Sequence, residues 1–358
     1  MTLRSVAFYL PQFHPIPEND AWWGEGFTEW HNVRKAVPRF RKHAQPHVPG
    51  ELGYYDLRDP DTRAAQAELA RAHGVGAFCY YHYWFNGRRV LEQPLSEVLA
   101  SGEPYFPFMV CWANENWTRV WDGGADAVLL QQHYDHDDDR RHIQSLLPVL
   151  ADPRYVRHEG KPVLLIYRAS ALPDPLRTTD IWREEVQRAG LGSLFLGRVE
   201  SHLDDRGDPR PLGFDAGVEF APDIARLPAL VQPPKLGRAV RRVLRPHSPY
   251  RVNTVYDYAD LVDLALAKPD PGYPVFRCAT PGWDNSPRRA AGARIFRGAD
   301  PAQFERWLTQ LVASAPADGF VFVNAWNEWG EGAHLEPDQR FGRAYLEAHQ
   351  RAMAAASP

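Results

Sequence analysis

The sequence predicts a single α/β domain, residues 1–358, built as a (β/α)8 barrel of the TIM type with long βα-loop insertions. Three observations predict it. Eight short apolar runs recur, at 6–10, 76–83, 106–113, 162–167, 194–199, 216–220, 273–279 and 319–325. Several are apolar throughout instead of alternating, as parallel strands covered on both faces are. Most are separated by segments of helical pattern, the rhythm of strand and crossover helix repeated around a barrel. A doubly wound open sheet alternates similarly, but no Gly-rich phosphate turn follows the first run.

The helices follow from caps and periodicity. The segment 60–73 starts after Asp59 as N-cap, carries Ala64, Ala67, Leu69 and Ala70, and stops at Gly74. The segment 138–147 opens with acids, which the positive end of the helix dipole favours, and is expected to close before Pro148. The segment 179–189 closes at Gly190, while 256–267 sets Tyr258, Leu261, Leu264 and Leu266 around one side. Helices at 301–314, with proline in its first turn, and at 340–355 flank the eighth strand.

Three stretches break this rhythm, and long loops in a compact domain are usually functional or disordered. The loop 11–59, full of Trp, His, Glu and Pro, is expected to fold over the barrel mouth. The second is 201–213. The third, the insertion 222–253, carries Lys235, Arg238, Arg241, Arg242, Arg245 and Arg251 with Ala239, Val240, Val243 and Leu244 interleaved. A basic amphipathic helix at 235–251 would touch a membrane surface, a protein partner or an anionic glycan; a solvated face is the plainer reading.

A formal charge of -4 gives no electrostatic reason to expect nucleic acid or an anionic membrane as partner. The 12 tryptophans and 15 tyrosines supply amphipathic rings of the kind that bind sugars. Cys79, Cys111 and Cys278 each sit inside an apolar run, so buried reduced thiols are expected instead of a disulfide framework or a zinc site. No apolar run reaches transmembrane length and no secretory leader pattern precedes the first strand, which predicts a soluble, cytoplasmic protein.

In such a barrel the carboxyl ends of the strands carry the chemistry. There the sequence sets His14, Trp22, Trp23 and Glu29 after the first strand, and His82 and Tyr83 at the second. The third is followed by Trp112, Asn114, Glu115, Asn116 and Trp117, and the seventh by Trp283 and Asp284. The eighth opens onto Trp326, Asn327, Trp329 and His334. A single Trp or His at such a position is more often packing than a ligand contact. Recurrence at one end of several strands points instead to a glycan cleft, where amides and carboxylates pair with hydroxyls and aromatic planes take C–H faces.

Within 321–337 the apolar strand ends in two carboxylates three apart, Glu328 and Glu331, loosened by Gly330 and Gly332. A general acid and a general base acting on one bond need two carboxyl groups in different environments. The same letters also fit a strand followed by a helical first turn, with acids drawn to its dipole. There is no Gly-x-Ser-x-Gly elbow and no Walker or dinucleotide signature. The run His133, Asp135, His136, Asp137, Asp138, Asp139 and His142 meets neither a zinc HExxH nor a calcium-loop spacing, and its acids fit a helix start. No metal and no cofactor is expected.

Four segments, AFYLPQFHPIPENDAWWGEGFTEW, FCYYHYWFNGRRVLEQP, FMVCWANENWTRVWDG and NAWNEWGEGAHLEPD, resemble the WbsX-like family, which is linked in sequence to glycoside hydrolase family 99. The match runs from Ala7 to about Tyr345. The resemblance implies a (β/α)8 enzyme that handles bacterial surface polysaccharide. On the matching motif Asn327, Glu328, Trp329, Glu331, Gly332, it implies Glu328 as base and Glu331 as acid in a retaining reaction through a 1,2-anhydro sugar. A glycoside hydrolase, endo-acting on a polysaccharide or oligosaccharide, is therefore expected. The alternatives are a glycosyltransferase of surface-polysaccharide biosynthesis, which the family's older name implies, and a non-catalytic glycan-binding barrel. Glu115 is the substitute acid or base.

Overall fold

The computed structural model describes residues 3–118, 128–231 and 249–355. Its main sheet is a nearly closed parallel barrel of nine strands with helices between them. In chain order these are β1 (Arg4–Tyr9), β2 (Ala77–Phe85), β3 (Phe108–Trp112), β4 (Lys161–Ile166), β5 (Phe195–Glu200), β6 (Ala216–Glu219), β7 (Val275–Phe276), β8 (Cys278–Ala279) and β9 (Phe320–Val323). They are ordered β7-β6-β5-β4-β3-β2-β1-β9-β8. The eight apolar runs therefore all become strand, with one correction. The run 273–279 is split at Arg277, because its first half pairs with β6 and its second with β9. That switch of partner brings the ring round on itself.

Side chains alternate across each strand. Phe8, Tyr81 and Phe322 point into the barrel, where Phe8 stacks on Tyr81 with centroids 5.7 Å apart and meets Phe322 at 5.5 Å. Their neighbours on the other face pack under the helices. Cys79, Cys111 and Cys278 are all buried and unpaired.

The helices longer than one turn among the described residues are α1 (Pro17–Trp23), α2 (Glu29–Lys35), α3 (Pro60–Ala72), α4 (Gln93–Ser101), α5 (His136–Ala151), α6 (Pro175–Arg188), α7 (Tyr258–Leu266), α8 (Pro301–Ser314) and α9 (Ala344–Ala354). The expected stop before Pro148 is overturned, since α5 continues through it to Ala151. A proline inside a helix costs one backbone bond, about 3 kcal/mol. Leu146, Val149 and Leu150 are buried along that turn and offset it. Asp135, from the acidic run, caps α5 by accepting from the Asp138 amide at 2.8 Å. α4 carries no strong apolar stripe, with Pro94 and Val98 as its buried residues, and it escapes a search for periodicity.

The basic side chains Lys235, Arg238, Arg241, Arg242 and Arg245 lie outside the described residues. Among the described residues no helix is long and apolar enough to cross a membrane.

Candidate active site

At the carboxyl ends of the strands lies a cleft of about 620 Å³, lined by Tyr81, Tyr83, Phe85, Glu115, Asn116, Trp117, Tyr167, Arg168, Phe220, Trp283, Arg289, Glu328 and Glu331. Its aromatic wall is laid by strand alternation. Tyr81, Tyr83 and Phe85 share one face of β2, and Trp117 stacks on Tyr83 and Phe85 with interplanar angles of 10° and 11°. Glu115, also in the lining, accepts from Arg168 at 3.2 Å and faces the His202 ring nitrogen at 3.3 Å. Burial pushes the Glu115 carboxyl up, but His202 and Arg168 outweigh it and hold the group below the usual glutamate value.

The two expected catalytic carboxyls meet one buried guanidinium. Arg288 donates from Nε to Glu29, from Nη2 to Glu328 and from Nη1 to Glu331, each at 2.8 Å. Three chain segments supply this cluster: the start of α2, the turn after β8, and the segment after β9. Glu328 precedes and Glu331 ends a single 3-10 turn, Trp329–Glu331, not a long helix. Burial is the largest influence on Glu328 and, with the neighbouring Glu331 and Glu29, pushes it up to about 8 against the pull of Arg288. Burial raises Glu331 as well. Three carboxylates around one cation would leave two excess negative charges in a desolvated place. Retaining a proton at neutral pH relieves that cost.

Behind the cluster a fourth carboxyl, also buried, fixes the motif. Glu336 accepts from Trp329 Nε1 at 2.6 Å, Tyr55 at 2.8 Å and Gln66 at 2.6 Å, and burial lifts it to about 7. Asn327 locks the strand-end segment to β1, accepting from the Leu10 amide at 2.7 Å and donating to the Leu10 carbonyl at 3.0 Å.

Of the residues expected to touch sugar, the structure brings Tyr83, Glu115, Asn116, Trp117 and Trp283 to the cleft beside Glu328 and Glu331. Trp22 meets Trp117 edge-on at 5.5 Å, whereas Trp23 packs on Phe27 and Glu29 is wholly buried against Arg288. The others lie elsewhere, and the reason is strand phase or burial. His82 and Trp112 are register partners on the outer face, where both pack on His142 under the helices. His14 is buried and bonded to the Pro11 carbonyl. Asn114 ties the end of β3 to Arg168 through two backbone bonds of 2.7 and 2.8 Å. Trp326, Asn327 and Trp329 are core, and His334 stacks under Trp329 at 3.7 Å. Asp284 accepts from His43 and Gln45 and faces a neighbouring cavity. Arg288, Arg289, Arg168, Tyr81, Tyr167, Phe220 and Glu336 were not singled out by the sequence. Tyr81 alone had a signal, being two residues before Tyr83 on the same face.

The profile of the family described as "Glycosyltransferase WbsX" matches residues 5–349. The chain belongs to that family. Two relatives, each named "Uncharacterized protein WxcX" and coming from Xanthomonas campestris pv. campestris strains B100 and ATCC 33913, are 44% identical over 356 residues, 98% of this chain. The chain spans about half the length of these curated relatives, 50% of each. Among solved structures it is similar to a "Glycoside hydrolase-like protein", with a TM-score of 0.60, 14% identity and 98% and 94% of the two chains covered. It is also similar to the GH99 endo-alpha-mannosidase from Bacteroides thetaiotaomicron, with a TM-score of 0.56, 15% identity and 99% and 97% covered. At these identities the likeness shows a shared (β/α)8 fold.

In this WbsX-family barrel Gly330 has no room for a side chain, since an added Cβ would run into the Glu29 carboxylate and the Arg288 Nε. Gly330→Ala is expected to lose about 1–3 kcal/mol of stability, the usual cost of overpacking. A double-mutant cycle with Glu29→Ala, read by denaturant unfolding, tests the cause, because a clash with the Glu29 carboxylate is relieved when that carboxylate is removed. An unchanged Gly330→Ala midpoint would refute the crowding.

Proposed function

We propose that this chain is a glycoside hydrolase, retaining and endo-acting, that cleaves a bacterial polysaccharide or oligosaccharide with Glu328 and Glu331. One observation carries the reading: both carboxyls line an aromatic-walled cleft and are held by the same buried guanidinium. Tyr83, Trp117 and Trp283 offer faces to sugar rings, and Glu115 and Asn116 offer acceptors to hydroxyls.

In this mechanism Glu328 takes the proton of the sugar 2-hydroxyl. The freed oxygen attacks the anomeric carbon as the glycosidic bond breaks, and Glu331 protonates the departing oxygen. A 1,2-anhydro sugar results. Glu331, now ionised, accepts a proton from water as that water opens the ring, and Glu328 returns its proton to the 2-oxygen. Burial raises both carboxyls, so the pair retains a proton at neutral pH, and this sequence of steps needs that proton on Glu331 when the glycosidic bond breaks.

The Bacteroides relative in fold is an endo-alpha-mannosidase, so α-mannosides join bacterial surface polysaccharides on the test panel. Nuclear magnetic resonance of the first product is expected to show the anomer of the substrate, without any nucleotide sugar added. Release of the opposite anomer would refute the retaining mechanism. The family description favours a second reading, glycosyl transfer: the same intermediate opened by a sugar hydroxyl yields a longer glycan, and product length with and without added acceptor separates the two. The three unpaired buried cysteines support action in the reducing cytoplasm.

A further inference from the structure

We propose that His47, His334 and Asp338 form a site for one zinc ion, beside the glycan cleft and separate from its carboxyls. One ligand atom from each of the three lies within 4.8 Å of the others. Two imidazoles and one carboxylate form a donor set that zinc takes in three-ligand sites with an open fourth position. Here that position faces a cavity of about 370 Å³, which touches the cleft through Trp283.

The ligands are built into place by the fold. The segment carrying His47 runs beside the segment carrying Asp338: the Gly50 amide donates to the Pro337 carbonyl at 2.8 Å and the Gln339 amide to the Val48 carbonyl at 2.9 Å. His334 Nδ1 donates to the Glu336 carbonyl at 2.9 Å, which fixes its tautomer and aims the Nε2 lone pair at His47. A carbonyl or carboxylate on the far nitrogen is the usual partner of a metal-binding histidine. Trp329 stacks on the same ring at an interplanar angle of 14° and sets its plane. Asp338 Oδ1 accepts from the Arg340 and Phe341 amides at 2.9 and 2.6 Å, which orients the carboxylate and leaves Oδ2 for a ligand.

His47 Nδ1 and His334 Nε2 are 2.8 Å apart, joined by a hydrogen bond. A tetrahedral zinc at 2.0–2.1 Å from each would set them about 3.3 Å apart. His47 is only half-buried, and a small turn of its ring opens the pair. The ion replaces one proton between two imidazoles and ties the strap around His47 to the chain that follows Glu331.

The test uses the full chain, stripped with a chelator and titrated with zinc chloride by calorimetry. One ion per chain is expected. Affinity should fall at least 100-fold in His334→Ala and at least 10-fold in both His47→Ala and Asp338→Asn, the last keeping the oxygen that caps the turn. His133→Ala, at an exposed histidine, should bind as the wild type does, which excludes general surface histidines. Cobalt(II) provides a second readout, because its visible absorption reports nitrogen and oxygen ligation without dependence on activity. If His47→Ala combined with Asp338→Asn, folded by circular dichroism, binds zinc as tightly as the wild type, or if the wild type binds none, the pair of histidines is a hydrogen bond and the proposal is wrong.

Discussion

Glu331→Gln is expected to lose on the order of 10²–10⁴-fold in kcat/KM on a glycan with an unactivated leaving group, the usual worth of a positioned acid. On an aryl glycoside, whose leaving group departs without a proton, the loss in the bond-breaking step should be much smaller. Glu328→Gln should lose a similar factor on both substrates, because removing the 2-hydroxyl proton is needed whatever the leaving group. Glutamine keeps the size of each residue and an oxygen for Arg288, so the fold is spared. The pair also dictates a pH dependence. Burial raises both carboxyls, so the proton that the reaction needs is lost only above the ordinary glutamate range, and the alkaline limb of the rate profile should be displaced upward accordingly. If Glu328→Gln is the variant rescued by the aryl substrate, the roles are exchanged. If neither variant loses more than tenfold on either substrate, the acid and base reading fails.

The barrel was legible because its strands are apolar on both faces and its helices end in capping residues and glycines, and these are local properties. All eight runs became strand for that reason. The site was legible only up to the strand ends. Which side of a strand faces the cleft follows from phase, and His82 and Tyr83 are adjacent, so naming both placed one of them wrongly: Tyr83 lines the cleft and His82 packs under α5. Trp112 fails for the same cause. Arg288 could not be found from its neighbours in sequence, since its three partners come from positions 29, 328 and 331. His47 and His334 likewise meet across 287 residues. Contacts of that separation depend on closing the barrel, which no local pattern encodes.

Arg288→Met carries the largest expected effect on stability. It replaces the guanidinium by an uncharged side chain and leaves Glu29, Glu328 and Glu331 facing one another out of water. Removing one partner from a buried ionic group costs about 3–5 kcal/mol, chiefly through the charges left unpaired. The cost must depend on pH, and the sign follows from proton binding. In the native protein Glu328 at about 8 and Glu336 at about 7 lie above the ordinary glutamate value, so the folded state binds more protons than the unfolded one between roughly pH 4.5 and 8. These two groups therefore make stability decline as pH rises through that window. Loss of Arg288 removes what holds Glu328 and Glu331 down and steepens the decline. Denaturant unfolding should find the variant close to wild type at pH 5, where protonated carboxyls no longer repel, and furthest from it at pH 8. Adding Glu29→Gln to Arg288→Met should recover part of the loss at pH 8, because one of the stranded charges is gone. A deficit of equal size at pH 5 and pH 8 would mean that Arg288 acts by packing alone, and the charge account of the cluster would have to be abandoned.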